Sequence, residues 1–244
     1  MKKTNFLKMK RILFLALVLL GFGMNNSYSQ LICTDTTSDQ VIGEKDGYRY
    51  EIWNLNTQGS ACMTLGEGAK FSGEWIEIEN YLARRGFGYD QTQEHQEIGT
   101  FSTTYSCEYN PRAELGGNSY LGIYGWTVDP LVEFYILDDW RNWIPSMAEG
   151  VSFKGSLEIN GSIYDIYEYI RVNQPSIVGT TTFPQIFSIR RDKRNSGTID
   201  ISEHFKKWEE LGMVLGKMYE VAFAVEGYHN SGSFDFTELD FVIE

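Results

Sequence analysis

Two glutamates, each set in a short alternating run rich in aromatic residues, carry the clearest chemical signal in this 244-residue chain. One lies in Pro130-Leu131-Val132-Glu133-Phe134-Tyr135 and the other in Val225-Glu226-Gly227-Tyr228-His229-Asn230-Ser231-Gly232. Side chains along a strand point alternately to opposite faces. Glu133 and Tyr135 therefore share one face while Val132, Phe134 and Ile136 share the other. In the second run Glu226 and Tyr228 lie opposite Phe223 and Val225. Each run thus predicts one wet face and one core face. Two carboxyl groups among tyrosines suit the breaking of a glycosidic bond, where one group protonates the leaving oxygen and the other attacks or activates water. Acids merely exposed on a solvated sheet face are the competing explanation of the same pattern.

Strands must position these acids. From Gly47 onward, alternating runs separated by Gly, Asn, Asp and Ser predict strands over 48–53, 69–78, 97–109, 119–126, 132–137, 164–172 and 185–190. Turn signals recur without a long linker or an internal repeat, which predicts one all-β domain of two packed antiparallel sheets. One segment breaks the period. Phe205, Trp208 and Leu211 recur at helical spacing after Ser202, an expected N-cap, and before Gly212, an expected stop, so a single α-helix is predicted over about 202–211. His204 falls off that stripe and is read as a surface residue. Residues 174–183, with Pro175 and Gly179, read as a long hairpin tip that could be a lid or a plain turn.

Composition narrows the function classes. Aromatic residues make up 15% of the chain, with 15 Tyr and 6 Trp, and their flat apolar faces suit stacking on sugar rings as well as filling a β core. Lys2, Lys3, Lys8, Lys10 and Arg11 precede an apolar run from Ile12 to Phe22 and a small-x-small end at Ser27-Tyr28-Ser29, the pattern of an export leader over 1–29. Its removal takes the formal net charge from −12 to −17. So acidic a chain repels nucleic acid, and no stretch beyond the leader predicts a membrane span. The expected mature chain is secreted, with a segment over 30–46 before a domain over 47–244. Cys33, Cys62 and Cys107 show no CxxC spacing, and export permits one disulfide whose pairing the spacing leaves open. His95, His204 and His229 are scattered, so no metal and no cofactor are expected.

The two glutamate runs, with Tyr124-Gly125-Trp126-Thr127, Tyr164-Asp165-Ile166-Tyr167, Arg171-Val172-Asn173-Gln174-Pro175-Ser176-Ile177 and Ser196-Gly197-Thr198, resemble glycoside hydrolase family 11, the jelly-roll endo-β-1,4-xylanases. The resemblance runs from Gly47 to about Phe241. It implies a sandwich of two curved sheets and retaining cleavage of xylan and xylo-oligosaccharides, with Glu133 as nucleophile and Glu226 as general acid/base. It also implies substrate contacts from Trp53, Asn80, Tyr124, Trp126, Tyr135, Arg171, Gln185 and Tyr228. Pro175, Ser176 and Ile177 match the tip of the loop called the thumb. Asn80, where some members carry Asp, implies a rate optimum near neutrality. Phe134, Ile186, Phe187, Glu79 and His229-Asn230 depart from the family's commoner residues. A monomer is the expected state. A β-1,4-glucanase of a related jelly roll and a non-catalytic carbohydrate-binding protein are the alternatives.

Overall fold

The computed structural model describes residues 29–112, 114 and 116–244. The expected leader, Ser29 aside, lies outside the described residues. The first half of the chain forms β1 (Gln30–Cys33), β2 (Gln40–Lys45), β3 (Tyr48–Asn54), β4 (Ser60–Leu65), β5 (Phe71–Ile76), β6 (Asn80–Gly88), a single helical turn α1 (His95–Ile98) and β7 (Phe101–Pro111). The second half forms β8 (Asn118–Val128), β9 (Val132–Arg141), β10 (Ser152–Ile159), β11 (Ser162–Gln174), β12 (Thr181–Arg190), β13 (Ser196–Asp200), α2 (Ile201–Glu210), β14 (Lys217–Tyr228) and β15 (Gly232–Ile243).

These strands build a six-stranded sheet, ordered β1-β4-β5-β15-β7-β13, and a nine-stranded sheet, ordered β10-β11-β12-β9-β8-β14-β6-β3-β2. Pairing is antiparallel except between β9 and β12, which run parallel. The sheets pack face to face as the sandwich the strand pattern predicts. Their shared core joins Phe71, Trp75, Phe234 and Phe236 of the smaller sheet to Ile123, Phe134, Phe223 and Val225 of the larger. Burying each such side chain contributes about 1.5–3 kcal/mol. The predicted split of β9 and β14 holds: Val132, Phe134 and Ile136 lie in this core, while Tyr135 and Leu137 belong to a second cluster on the opposite face.

Residues 30–46 supply β1 to the smaller sheet and β2 to the edge of the larger. Cys33 pairs with Cys62 across β1 and β4, and Cys107 is a buried free thiol. The strand expected from residue 97 instead starts at Phe101, because 95–98 coil into α1, closed by a capping box between Glu94 and Glu97.

Helix α2 corrects two expectations. Its N-cap position is Asp200, and Ser202, inside the first turn, uses its hydroxyl to accept the Phe101 amide at 2.8 Å. His204 is a core residue, 1% exposed, with its ring edge-on to Tyr164 at 4.6 Å. The apolar stripe starts one turn earlier than predicted, at Ile201, and runs through His204, Phe205 and Trp208. That i, i+3, i+4, i+7 spacing faces the sheet, and burial pushes the His204 imidazole down to about 3, so it stays neutral. Gly212 ends the helix as expected. Its φ of 82° suits glycine, and the Gly212 and Met213 amides close back on Glu209 and Trp208 as a Schellman motif.

Candidate active site

The concave outer face of the larger sheet holds a cleft of about 920 Å³ lined by 28 residues from both halves of the chain. Strand register explains who faces it. Glu133 on β9 lies opposite Trp126 on β8 and beside Gln185 on β12. Glu226 on β14 lies opposite Tyr120 on β8 and Leu82 on β6. Tyr135, two residues after Glu133, sits opposite Tyr124. Residues nearly a hundred positions apart in sequence thus meet because β8 separates β9 from β14 in the sheet.

The two acids share one phenol. Tyr135 donates at 3.4 Å to Glu133 Oε1 and 3.3 Å to Glu226 Oε2. Glu133 is held more tightly: Tyr124 donates to Oε1 at 2.8 Å, and Gln185 Nε2 donates to Oε2. Trp126 Nε1 in turn donates to the Tyr124 hydroxyl at 2.5 Å, so the phenol proton is committed to the carboxylate. Glu226 has a looser setting, with Asn80 Nδ2 at 3.4 Å from Oε1.

Electrostatics separates the pair. Burial pushes the Glu133 carboxyl upward, opposed by hydrogen bonds from Gln185 and Tyr124 and by the more distant Arg171 and Arg84 charges. Burial and the neighbouring Glu133 raise Glu226 to about 7, only partly offset by Asn80 and Tyr135. Two neighbouring carboxylates resist joint ionisation, and the better-solvated-by-donors member is Glu133. The site therefore favours ionising Glu133 first, beside a Glu226 that holds its proton up to about pH 7.

The remaining predicted residues fall around this pair. Trp53 lines the cleft instead of lying in the sandwich core, packed against the cleft-side cluster. Trp126 is buried and leans on Phe183. Pro175, Ser176 and Ile177 form part of the wall, and the loop that carries them is only 175–180, since β11 and β12 extend further than predicted. Arg171 faces the cleft, with Nη2 donating to Gln174 Oε1 at 3.3 Å and a buried Nε that has no hydrogen-bond partner. Tyr228, 41% exposed, stands at the open rim. Sequence reading missed Gln40, Glu51, Arg84, Tyr120 and Trp143, all of which line the cleft. Parity held a signal for two of them, since Arg84 shares the face of Asn80 and Leu82, and Glu51 that of Trp53. Among the described residues no group of three or more His, Cys, Asp or Glu is gathered to hold a metal ion.

A β sandwich carrying two carboxyls beside one another in an aromatic-walled cleft has the architecture and chemistry of a glycoside hydrolase. The sequence profile of Glycosyl hydrolases family 11 matches residues 45–237, and the chain belongs to that family. It is 49% identical over 198 residues to endo-1,4-beta-xylanase A of Bacillus pumilus, an alignment covering 81% of this chain and 82% of that one. It is 48% identical over 199 residues to a bifunctional xylanase/deacetylase of Pseudobutyrivibrio xylanivorans, covering 82% of this chain but 32% of that longer protein. The family 11 xylanase structure from Neocallimastix patriciarum superposes with a TM-score of 0.79 at 38% identity, over 88% of this chain and all of that one.

Proposed function

We propose that this chain is an exported endo-β-1,4-xylanase that hydrolyses internal bonds of xylan with retention of configuration. The observation that carries this is the Tyr135 hydroxyl within 3.4 Å of both Glu133 and Glu226. One phenol reaching both acids suits a retaining pair, whose carboxyls stand about 5–5.5 Å apart, better than an inverting pair at about 6.5–9.5 Å. Names of relatives that align over most of the domain support xylan as the polymer.

In this reading a xylan segment lies along the cleft, with Trp53 stacking on a sugar ring at one end and Tyr228 at the other. Pro175, Ser176 and Ile177 close over it, and Arg171 and Gln185 hold hydroxyls near the reacting sugar. Glu133 attacks the anomeric carbon while Glu226 gives its proton to the leaving oxygen. The resulting ester cancels the Glu133 charge that helped raise Glu226. Glu226, now the stronger acid and ionised, takes a proton from the incoming water. The water cleaves the ester, and Glu133 recovers its charge. No cofactor enters these steps.

Export is supported by the leader pattern and by the Cys33–Cys62 disulfide, since such bonds persist in oxidising compartments. The catalytic domain over 47–244, working as a monomer without nucleic acid or membrane partners, completes the reading. The test is reducing-sugar release from xylan and from carboxymethyl cellulose by the wild type, Glu133→Ala and Glu226→Ala. Release from xylan alone, lost in both variants, is the expected result. Release from cellulose but not xylan would establish a glucanase, and a folded wild type inactive on both would establish a binding protein.

A further inference from the structure

Arg84 of β6 is caught on the cleft floor between two acids. Its Nη2 lies 2.7 Å from Glu51 Oε2 on β3 and 3.0 Å from Glu220 Oε1 on β14, and its Nε donates to Glu220 Oε2 at 3.2 Å. All three side chains are buried. Gln40 donates to the other Glu51 oxygen at 2.8 Å, and Arg49 stands 3.9 Å from Glu51. Burying such a cluster costs several kcal/mol of desolvation, and well-packed apolar residues are often as stabilising. Stability alone therefore gives a weak account of it.

Its reach gives a stronger one. The Arg84 guanidinium carbon lies 4.9 Å from the centre of the Tyr124 ring, although β14 separates β6 from β8. The arm can cross because the β14 residues in its path are Ala224, opposite Arg84, and Ala222, opposite Tyr124. A larger side chain at either would block it. Tyr124 is the residue whose hydroxyl donates to Glu133 at 2.8 Å while accepting from Trp126.

We infer that Arg84 is a positioning residue for the reaction: clamped by Glu51 and Glu220, its guanidinium holds the Tyr124 ring so that the phenol keeps its proton on the Glu133 carboxylate. This rests on the reading of Glu133 as nucleophile. A cation against a ring face is attracted by the ring's quadrupole, and the attraction strengthens when water is excluded. The same charge favours the ionised Glu133, which also faces Tyr124, Tyr135, Glu226 and Arg171. Burial opposes the charge on Arg84 itself, but Glu220, Tyr124 and Glu51 outweigh it and hold the guanidinium charged.

The test compares wild type, Arg84→Met and Arg84→Lys. Two quantities are read: the Glu133 titration, by NMR of a carboxyl-labelled glutamate, and the pH profile of kcat/KM on xylo-oligosaccharides. Arg84→Met is expected to move the Glu133 titration and the acidic limb upward together by about one pH unit. That lowers kcat/KM below the limb by about tenfold, with KM within about twofold. Arg84→Lys, which keeps the charge, is expected to restore at least half of the shift. A merely structural role would reduce the folded fraction and leave both curves in place, which overturns the inference. If Arg84→Met does not fold, the Arg84→Gln, Glu220→Gln double variant, which removes one charge of each sign, is read in the same way. The NMR titration decides the inference even if the wild type proves inactive on xylan, an outcome that would count against the proposed function alone.

Discussion

Asp138 and Glu133 are both buried carboxylates on β9, five residues apart, and they are treated in opposite ways. Asp138 points into the sandwich, where Tyr164 donates to one oxygen at 2.6 Å and Tyr105 and Arg194 Nε donate to the other at 2.7 and 2.6 Å. A cation in contact and two phenols saturate it. Glu133 points into the cleft and touches only neutral donors, Tyr124, Tyr135 and Gln185, while Arg171 and Arg84 act from further off. A carboxylate locked to a guanidinium spends its lone pairs on structure. One held by neutral donors is oriented yet still able to attack, since its charge is not cancelled by contact with an ion. The contrast separates a carboxylate saturated by its frame from one left open to the cleft, where burial alone does not.

The largest effects should split along this line. Glu133→Ala is expected to cost about 10⁴-fold or more in kcat on xylan, with thermal stability equal to the wild type or above it. Asp138→Ala leaves the buried Tyr105 and Tyr164 phenols without their acceptor and the half-buried Arg194 without its counter-charge, and should cost about 3–5 kcal/mol of stability, while the folded fraction keeps its specific activity. Denaturant titration with active-site counting measures both, and an Asp138→Ala protein that is stable but inactive would break the comparison. Next in size, Tyr124→Phe removes one donor from Glu133 and should lower kcat/KM by about tenfold. Tyr105→Phe removes one donor from the saturated Asp138 and should cost about 1 kcal/mol of stability with no change in kcat.

The smallest effects concern protons. With Glu226 raised to about 7, kcat/KM should fall about tenfold per pH unit on the alkaline side of that value, as the general acid is lost. The folded state binds this proton more tightly than the unfolded chain does. The associated stability is full below the ordinary glutamate range and is lost as pH rises through about 7. Glu226→Gln, which cannot ionise, should therefore melt above the wild type at about pH 8 and level with it at about pH 4. Melting curves at the two pH values check the sign, and an unchanged difference would show that Glu226 is not held protonated.

Much of this was legible from local pattern. Alternation along 132–137 and 223–228 assigned core and cleft faces, and the structure keeps those assignments. Helical spacing located α2 but misjudged its stripe, because His204 looks polar in sequence and only the packed sheet makes it a core residue. Arg84, Glu51 and Glu220 were invisible as a group, since 136 residues separate Arg84 from Glu220. They meet through the order β14-β6-β3, which arises from long-range pairing.

The sequence by itself determined which residue types share a face within the uninterrupted runs 132–137 and 223–228, because a two-residue repeat is a property of the chain alone; bulges between Met218 and Glu220 and between Phe236 and Glu238 switch the repeat from one face to the other. It also carried the motifs that mark the two glutamates and the membership in family 11. Only the tertiary structure decided which cysteines pair, which phenol bridges the acids and which cation reaches Tyr124. Those are fixed by strand order and register, and sheet pairing joins segments whose distance in sequence says nothing of their distance in space.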